Sequence, residues 1–290
     1  MIGGSIDRPT VSIVTPSFNQ GRFLAAAIES VLAQDYPAIE YYVVDAGSTD
    51  ETLEVLRAYG DRIRWISERD AGQADGIDKG IRSTNGEIVA WLNADDLYLP
   101  GAVMTAVAAL EQDTSAAGVY GNAEFVDAEG RAIGPCTQVE PFDLGRLINV
   151  LDFIVQPATF FRRTAYEAAG GLDRSLHYCL DYDLWIRLGR CAPLRYVEQT
   201  LAQVRLHAET KTASGGLPRL LEIERMIRRH GRAVLPDGFQ REMLHSSEDA
   251  LEAAVRAGRW ADVVRLALTL LRYGSRVVAR RASRAARKRG

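Results

Sequence analysis

The 290-residue sequence predicts an α/β fold, a mixed but mainly parallel sheet with flanking helices, followed by an α-helical C-terminal extension. Three observations carry that expectation. Strand-like and helix-like segments alternate four times over about 90 residues, the pattern of right-handed crossovers between parallel strands. The apolar strands run into polar groups, Thr15, Asp45, Ser67 with Glu68, and Asn93 with Asp95, so functional chemistry gathers at one edge of the sheet. From Gly215 to Gly290 the composition turns wholly helical.

In chain order, Val11–Thr15 reads as a buried strand, stopped by Pro16 and the polar loop Ser17–Gly21. Arg22–Ala33 has helical spacing in Phe23, Leu24, Ile28, Val31 and Leu32. Tyr41–Asp45 is the second strand, and Gly47–Asp50 turns the chain into a helix reaching Tyr59, with Ser48 or Thr49 as its N-cap. Ile63–Ser67 is a third strand, Gln73–Arg82 a helix, and Ile88–Leu92 a central strand. Beyond Asp96 the pattern predicts a helix over Pro100–Gln112, a strand over Val119–Asn122 and a hairpin over Glu124–Gly134, turning near Asp127–Gly130. Pro141–Val150 reads as helical, Gln156–Phe161 as extended, and Arg163–Ala169 as a short helix ended by Gly170 and Gly171. Another helix opens at Leu180, with Leu184, Trp185 and Leu188 on its apolar face. Leu217–Arg229, Gly238–Ala257 and Ala261–Arg287 complete the helical end. The expected domains are therefore 1–214, whose halves are about 9–98 and 99–214, and 215–290.

With 47% hydrophobic and 25% charged residues and a net charge of −3, the totals describe a chain able to bury a large core. They give no electrostatic reason to expect nucleic acid as a partner. Cys136, Cys179 and Cys191 show no metal-ligand spacing and read as free thiols of a reducing compartment. The sequence shows neither a secretory leader nor a run of about 18 uncharged apolar residues, so the expectation is a cytoplasmic protein.

The stretch Ile88–Asp96 is the centre of the reading. An apolar strand runs directly into Asp95 and Asp96, and the carboxyl edge of an open α/β sheet is where ligands bind. Hard divalent cations carrying phosphate take oxygen ligands of this kind. The same residues also suit an acidic turn or a helix cap, and both readings stay open. Asp181, in the first turn of its helix, likewise reads as an N-cap or as a functional carboxylate.

Taken together, Val14–Asn19, Val43–Asp50, Gly86–Asp96 and Asp181–Trp185 resemble the family 2 inverting glycosyltransferases of GT-A fold. Gln156–Phe161 and Gly170–Asp173 are similar to that family's middle region. The resemblance covers about residues 9–210. It implies a Rossmann-like GT-A sheet and transfer of a sugar, with inversion, from a nucleoside diphosphate donor, UDP-sugar first, to a hydroxyl of a saccharide or glycolipid. It further implies Thr15, Pro16, Asn19, Asp45, Asp75, Asn93 and Ala94 around the nucleotide, with Asp45 near the base. Asn93-Ala94-Asp95 would occupy the Asp-x-Asp metal site for Mg²⁺ or Mn²⁺, with Asp96 and His207 as further ligands and Arg205 at the diphosphate. Asp181 resembles the catalytic base. Two positions depart from the pattern: Asn93 stands for the first carboxylate of the metal motif, and Leu180 stands where many relatives are acidic.

The residue types suit that chemistry. A sugar hydroxyl is too weakly acidic to ionise first, so a positioned carboxylate accepts its proton as the new bond forms. A nicotinamide oxidoreductase is disfavoured, because Thr15–Gly21 holds no GxGxxG loop after the first strand. A glycosidase would also use two carboxylates but needs no nucleotide. A non-catalytic nucleotide-sugar-binding or scaffold protein of the same fold remains the main alternative, given Asn93 and Leu180. Residues 261–290 combine an apolar face with Arg276, Arg280, Arg281, Arg284, Arg287, Lys288 and Arg289. They read either as a membrane-surface or partner-docking helix or as a packed helix with a solvated basic tail. The first reading puts the protein peripherally on the inner face of a membrane, building a polysaccharide, lipopolysaccharide or other glycoconjugate.

Overall fold

The first strand, β1 (Val11–Ser17), is buried along all seven residues, as a strand covered on both faces must be. The structure is a computed structural model that describes residues 8–232 and 235–287, excluding the side chains at 212, 213, 237, 238, 272 and 275–287. The helix α1 (Gly21–Leu32) leads to β2 (Ile39–Asp45), α2 (Thr52–Tyr59), β3 (Arg64–Ser67), α3 (Gln73–Arg82) and β4 (Ile88–Trp91). Strands β2, β1 and β4 lie side by side and parallel, with β3 outside β2. Their register pairs Ser17 with Asp45 and Asp45 with Ser67, so the polar strand ends meet at one edge as expected.

Helix α3 lies close on this sheet because Gly80 has no side chain. A Cβ there would stand 2.4 Å from Cγ1 of Val14. The Gly47–Asp50 turn is built differently from the sequence reading. Neither Ser48 nor Thr49 is the N-cap of α2, which is Glu51; just before it, Asp50 accepts from the Thr52 amide at 3.1 Å and, through its other oxygen, from the Gly21 amide at 2.9 Å. Burial pushes the Asp50 carboxyl up, and the hydrogen bonds from Thr52 and Gly21 more than offset it, leaving it below the usual carboxylate range. One carboxylate thereby fixes the start of two helices.

The second half of the sheet is mixed. The chain continues as β5 (Leu97–Tyr98), α4 (Ala102–Gln112), β6 (Gly118–Val126), β7 (Ala132–Pro135), α5 (Leu144–Asn149), β8 (Thr159–Arg162), α6 (Arg163–Ala168), α7 (Leu180–Cys191) and β9 (Leu194–Arg205). The strand order is β3-β2-β1-β4-β8-β6-β9-β5, with β7 hydrogen-bonded to β6. Strand β8 runs antiparallel to both β4 and β6, whereas β6 and β9 are parallel. The hairpin forms as predicted, closed by the Asp127 amide donating to Arg131 O at 2.9 Å. Three expectations are corrected. Gln156–Ala158 is a 3-10 turn and only Thr159–Arg162 is extended; the helix expected over Pro141–Val150 shortens to Leu144–Asn149; and β5 and the twelve-residue β9 lie where no strand is expected.

The chain divides into two compact units. One runs to Leu147 and resumes over Leu151–Ala208; the other comprises Ile148–Val150 and the chain from Glu209. The second holds α8 (Lys211–Ser214), α9 (Gly216–Arg229), α10 (Asp237–Arg256) and α11 (Trp260–Arg287). Leu220, Met226, Met243, Ala254, Leu266 and Tyr273 are buried there, and the Tyr273 hydroxyl is hydrogen-bonded to the buried Glu224. Lys288 and Arg289 of the basic end lie outside the described residues, as do the side chains from Arg276 to Arg287. Among the described residues no helix is long and apolar enough to cross a membrane.

Candidate active site

Two loops at the carboxyl ends of β1 and β2 clamp each other. Asn19 adopts a left-handed backbone, φ 53°, which asparagine tolerates better than most residues. That turn lets its amide donate to Ser48 Oγ at 2.7 Å while its side-chain oxygen accepts from the Thr49 amide at 2.8 Å. Below them Asp45 is fully buried. Its carboxylate accepts from the Gly47 and Ser48 amides, from Ser67 Oγ at 2.6 Å and from Ser48 Oγ. Three of these donors meet Oδ2 and one meets Oδ1. Asp45 therefore anchors the loop at the carboxyl end of β2. Thr15 is also buried, its hydroxyl 3.0 Å from that of Tyr41, and Pro16 is buried beside it.

A second cluster follows β4. Asn93 is held at both ends of its amide: its oxygen accepts from Gln73 Nε2 at 2.8 Å, and Nδ2 donates to Gln156 Oε1 at 2.9 Å and Asp96 Oδ2 at 3.1 Å. Gln156 in turn donates to Trp91 O at 2.7 Å. Ala94 packs into the core. Asp96 is buried and accepts from the Arg205 amide at 3.1 Å. Burial and the neighbouring Asp95 carboxylate push the Asp96 carboxyl well above the usual range, against the hydrogen bonds from Arg205 and Asn93. Asp96 thus ties the start of β5 to β9.

The asparagine at 93 fits this network better than the expected aspartate. A carboxylate there would lose the donation to Gln156 and set a second anion against Asp96. Asn93→Asp is expected to destabilise the protein by about 1–3 kcal/mol in EDTA, the cost of unsatisfied buried acceptors. Urea unfolding reads it, and equal or greater stability of the variant would sink this account.

Asp95 and His207 form the remaining polar centre. His207 Nε2 lies 3.0 Å from Asp95 Oδ2, and the imidazole is 4% exposed. Its ring packs on Phe23 at a tilt of 43° with centroids 4.8 Å apart, and Arg22 reaches Nδ1 at 3.3 Å, so α1 supports it. Arg205 is tied into the backbone around the site. Its guanidinium donates to the carbonyls of Asp95, Asp127 and Ala128 at 2.9, 3.2 and 2.9 Å and lies 4.9 Å from the Phe23 centroid. These backbone bonds make Arg205 a clamp between the β4 end and the hairpin. Asp75 turns to Arg174 at 2.7 Å and to the Ala71 amide at 3.1 Å.

Asp181 stands in the first turn of α7, inside the N-cap position at Cys179, so the capping reading falls. It is half-buried, and its Oδ1 accepts from the Tyr182 amide at 2.8 Å. One turn further along, Trp185 stacks on Trp91 of β4 with ring centroids 5.5 Å apart and planes 15° from parallel. Gln73, Gln156, Ser48, Ser67 and Trp185 escape the sequence reading as builders of the site. Gln73 and Gln156 sit within recognisable motifs, but their partners are far away in the chain.

Among the described residues no group of three or more His, Cys, Asp or Glu is arranged around an ion. Asp95 and His207 are the pair that would hold an ion at this edge. A single carboxylate completed by substrate phosphates and water is a donor set that Mg²⁺ takes.

The fold is that of solved glycosyltransferase structures, and the sequence matches a glycosyltransferase family model. The chain belongs to glycosyl transferase family 2, which residues 12–170 match, and has the GT-A fold. An uncharacterized glycosyltransferase of Rickettsia felis is 32% identical over 214 residues, covering 69% of this chain and 35% of that one. The chain thus spans about a third of that relative's length. Among solved structures, S. aureus TarS 1–349 in complex with UDP-GlcNAc aligns with a TM-score of 0.64 at 15% identity, covering 89% of this chain and 79% of that one. The mannosyltransferase PcManGT of Pyrobaculum calidifontis, in complex with GDP-Man and Mn²⁺, aligns with a TM-score of 0.60 at 18% identity, over 97% and 81% of the chains.

Proposed function

We propose that this chain moves a sugar from a nucleoside-diphosphate sugar, a UDP-sugar first, to a hydroxyl of a saccharide or glycolipid, with inversion at the anomeric carbon. The observation that carries the reading is the Asp95–His207 pair beyond β4, together with a base candidate, Asp181, whose helix is stacked on that same strand. The UDP-GlcNAc complex of TarS supports the donor class, and the Mn²⁺ in PcManGT supports a divalent ion.

The acceptor oxygen attacks the anomeric carbon as the bond from that carbon to the diphosphate oxygen breaks. Asp181 takes the acceptor proton, and the nucleoside diphosphate leaves with the bonding electrons. A single displacement inverts the centre and needs no covalent enzyme intermediate. Asp95 and His207 would hold Mg²⁺ or Mn²⁺, which when bound offsets the negative charge developing on the leaving diphosphate. The mutually clamped loops at Asn19 and Ser48 pre-shape the nucleoside side, with Asp45 as their buried anchor. The acceptor is met at the inner face of a membrane.

The test is a thermal-shift panel of UDP, GDP, dTDP, ADP and CMP, each with Mn²⁺, Mg²⁺ or EDTA. A nucleotide at about 100 times its dissociation constant adds roughly 2.7 kcal/mol of stability. A metal-dependent shift with UDP is the expected result, and a shift with GDP alone reassigns the donor. No shift with any nucleotide would leave a scaffold whose nucleotide site has decayed.

A further inference from the structure

We propose that the outer face of α11 is a docking surface for an anionic lipid bilayer. Helix α11 has two apolar faces. Leu266 and Tyr273 are buried within the helical unit, whereas Trp260, Val264, Leu268 and Leu271 are 68, 62, 62 and 69% exposed. At 100° per residue these four fall within an arc of about 80°, one continuous stripe along the helix. Scattered exposed apolar residues need no explanation, but four aligned on one face form a patch. The stripe begins at a tryptophan, whose flat ring and single N–H suit a membrane–water boundary.

Charge decides the occupant. Residues 259–290 hold ten Arg and Lys against the single Asp262, a net +9 in a chain whose total is −3, so the rest of the chain carries −12. Arg259 and Arg265, beside the stripe, have exposed side chains. A second copy of the helix would set +9 against +9, and nucleic acid would leave the apolar stripe in water. A bilayer with anionic headgroups takes both features, apolar side chains at the acyl boundary and cations among the headgroups. The helix lies on such a surface with one face and does not span it. This deepens the functional reading only by bringing the enzyme to a lipid-borne acceptor; the surface itself stands without that reading.

The test uses the full chain in vesicle co-sedimentation, with phosphatidylcholine alone or with about 30% phosphatidylglycerol, at low and high salt. UDP thermal shifts and the oligomeric state are measured on the same preparations. The unmodified protein is expected to bind the anionic vesicles at least about tenfold more tightly than the neutral ones and to release with salt. Leu268→Asp/Leu271→Asp and Arg280→Gln/Arg281→Gln/Arg284→Gln should each lower that binding at least about tenfold with the UDP shift unchanged. Vesicle binding without any UDP shift would sustain the surface while removing the donor reading. Absent binding, equal binding to both vesicles, or variants that bind like the parent would overturn the proposal. A dimer that Leu268→Asp/Leu271→Asp dissociates, with no vesicle binding, would assign the face to a second copy.

Discussion

Asp181→Asn is expected to lower glycosyl transfer by about 10²–10⁴-fold, the usual contribution of a positioned base. Donor binding should persist. The substitution keeps shape and removes only the capacity to take a proton, since an amide oxygen at 181 can still accept from the Tyr182 amide as Oδ1 does at 2.8 Å. Asp183 cannot take over. It is buried and tied to Arg187 at 2.7 Å, and Arg187 is itself bound to the carbonyls of Ala169 and Gly171, so its carboxylate serves the packing of α7. The measurement is the initial rate of donor consumption in the presence of acceptor, set beside the UDP thermal shift. Near-normal turnover would remove Asp181 from the mechanism, whereas loss of the UDP shift would mean that the donor site, not the base, had been damaged.

The parallel half of the fold was legible because its signals are local. Each strand from Val11 to Trp91 is an apolar run long enough to be recognised, and each helix between them has its own period. Strand β9 was not legible for the opposite reason. Leu194–Arg205 mixes exposed and buried residues without strict alternation, and its identity comes from pairing with β6 and β5. The site divides along the same line. Asp95 and His207 could be named from the sequence, but their separation of 3.0 Å depends on β9 returning beside the β4 end. Asp45, Asp96 and Arg205 stand in recognisable motifs, and each also holds a loop in place. Nothing in a sequence shows that Ser48 and Ser67 both bind the Asp45 carboxylate. Long-range partners, Gln156 to Asn93 above all, set those roles.

The same dependence on distant packing makes Trp185 the second position of large expected effect. Trp91 sits two residues before Asn93, and Trp185 four residues after Asp181, so their stack joins the strand that leads to the ion-binding pair with the helix that carries the base. Phe161 closes the cluster edge-on, 5.9 Å from Trp91 and 6.1 Å from Trp185. All three rings are fully buried. Trp185→Ala should cost about 3–5 kcal/mol through lost burial and the cavity left behind. It should also lower turnover by about 10²-fold in protein that remains folded, because a shift of about 1 Å in a reacting group is enough to do so. Trp185→Phe separates the two effects. It keeps a ring against Trp91 and removes an indole N–H that has no hydrogen-bond partner among the described residues, so both its stability and its turnover should stay much closer to the parent's. Urea unfolding gives the stability, and kcat measured well below each variant's midpoint gives the rate. If Trp185→Ala loses the stability but keeps kcat, the stack only supports the core, and the position of Asp181 is set by the rest of α7.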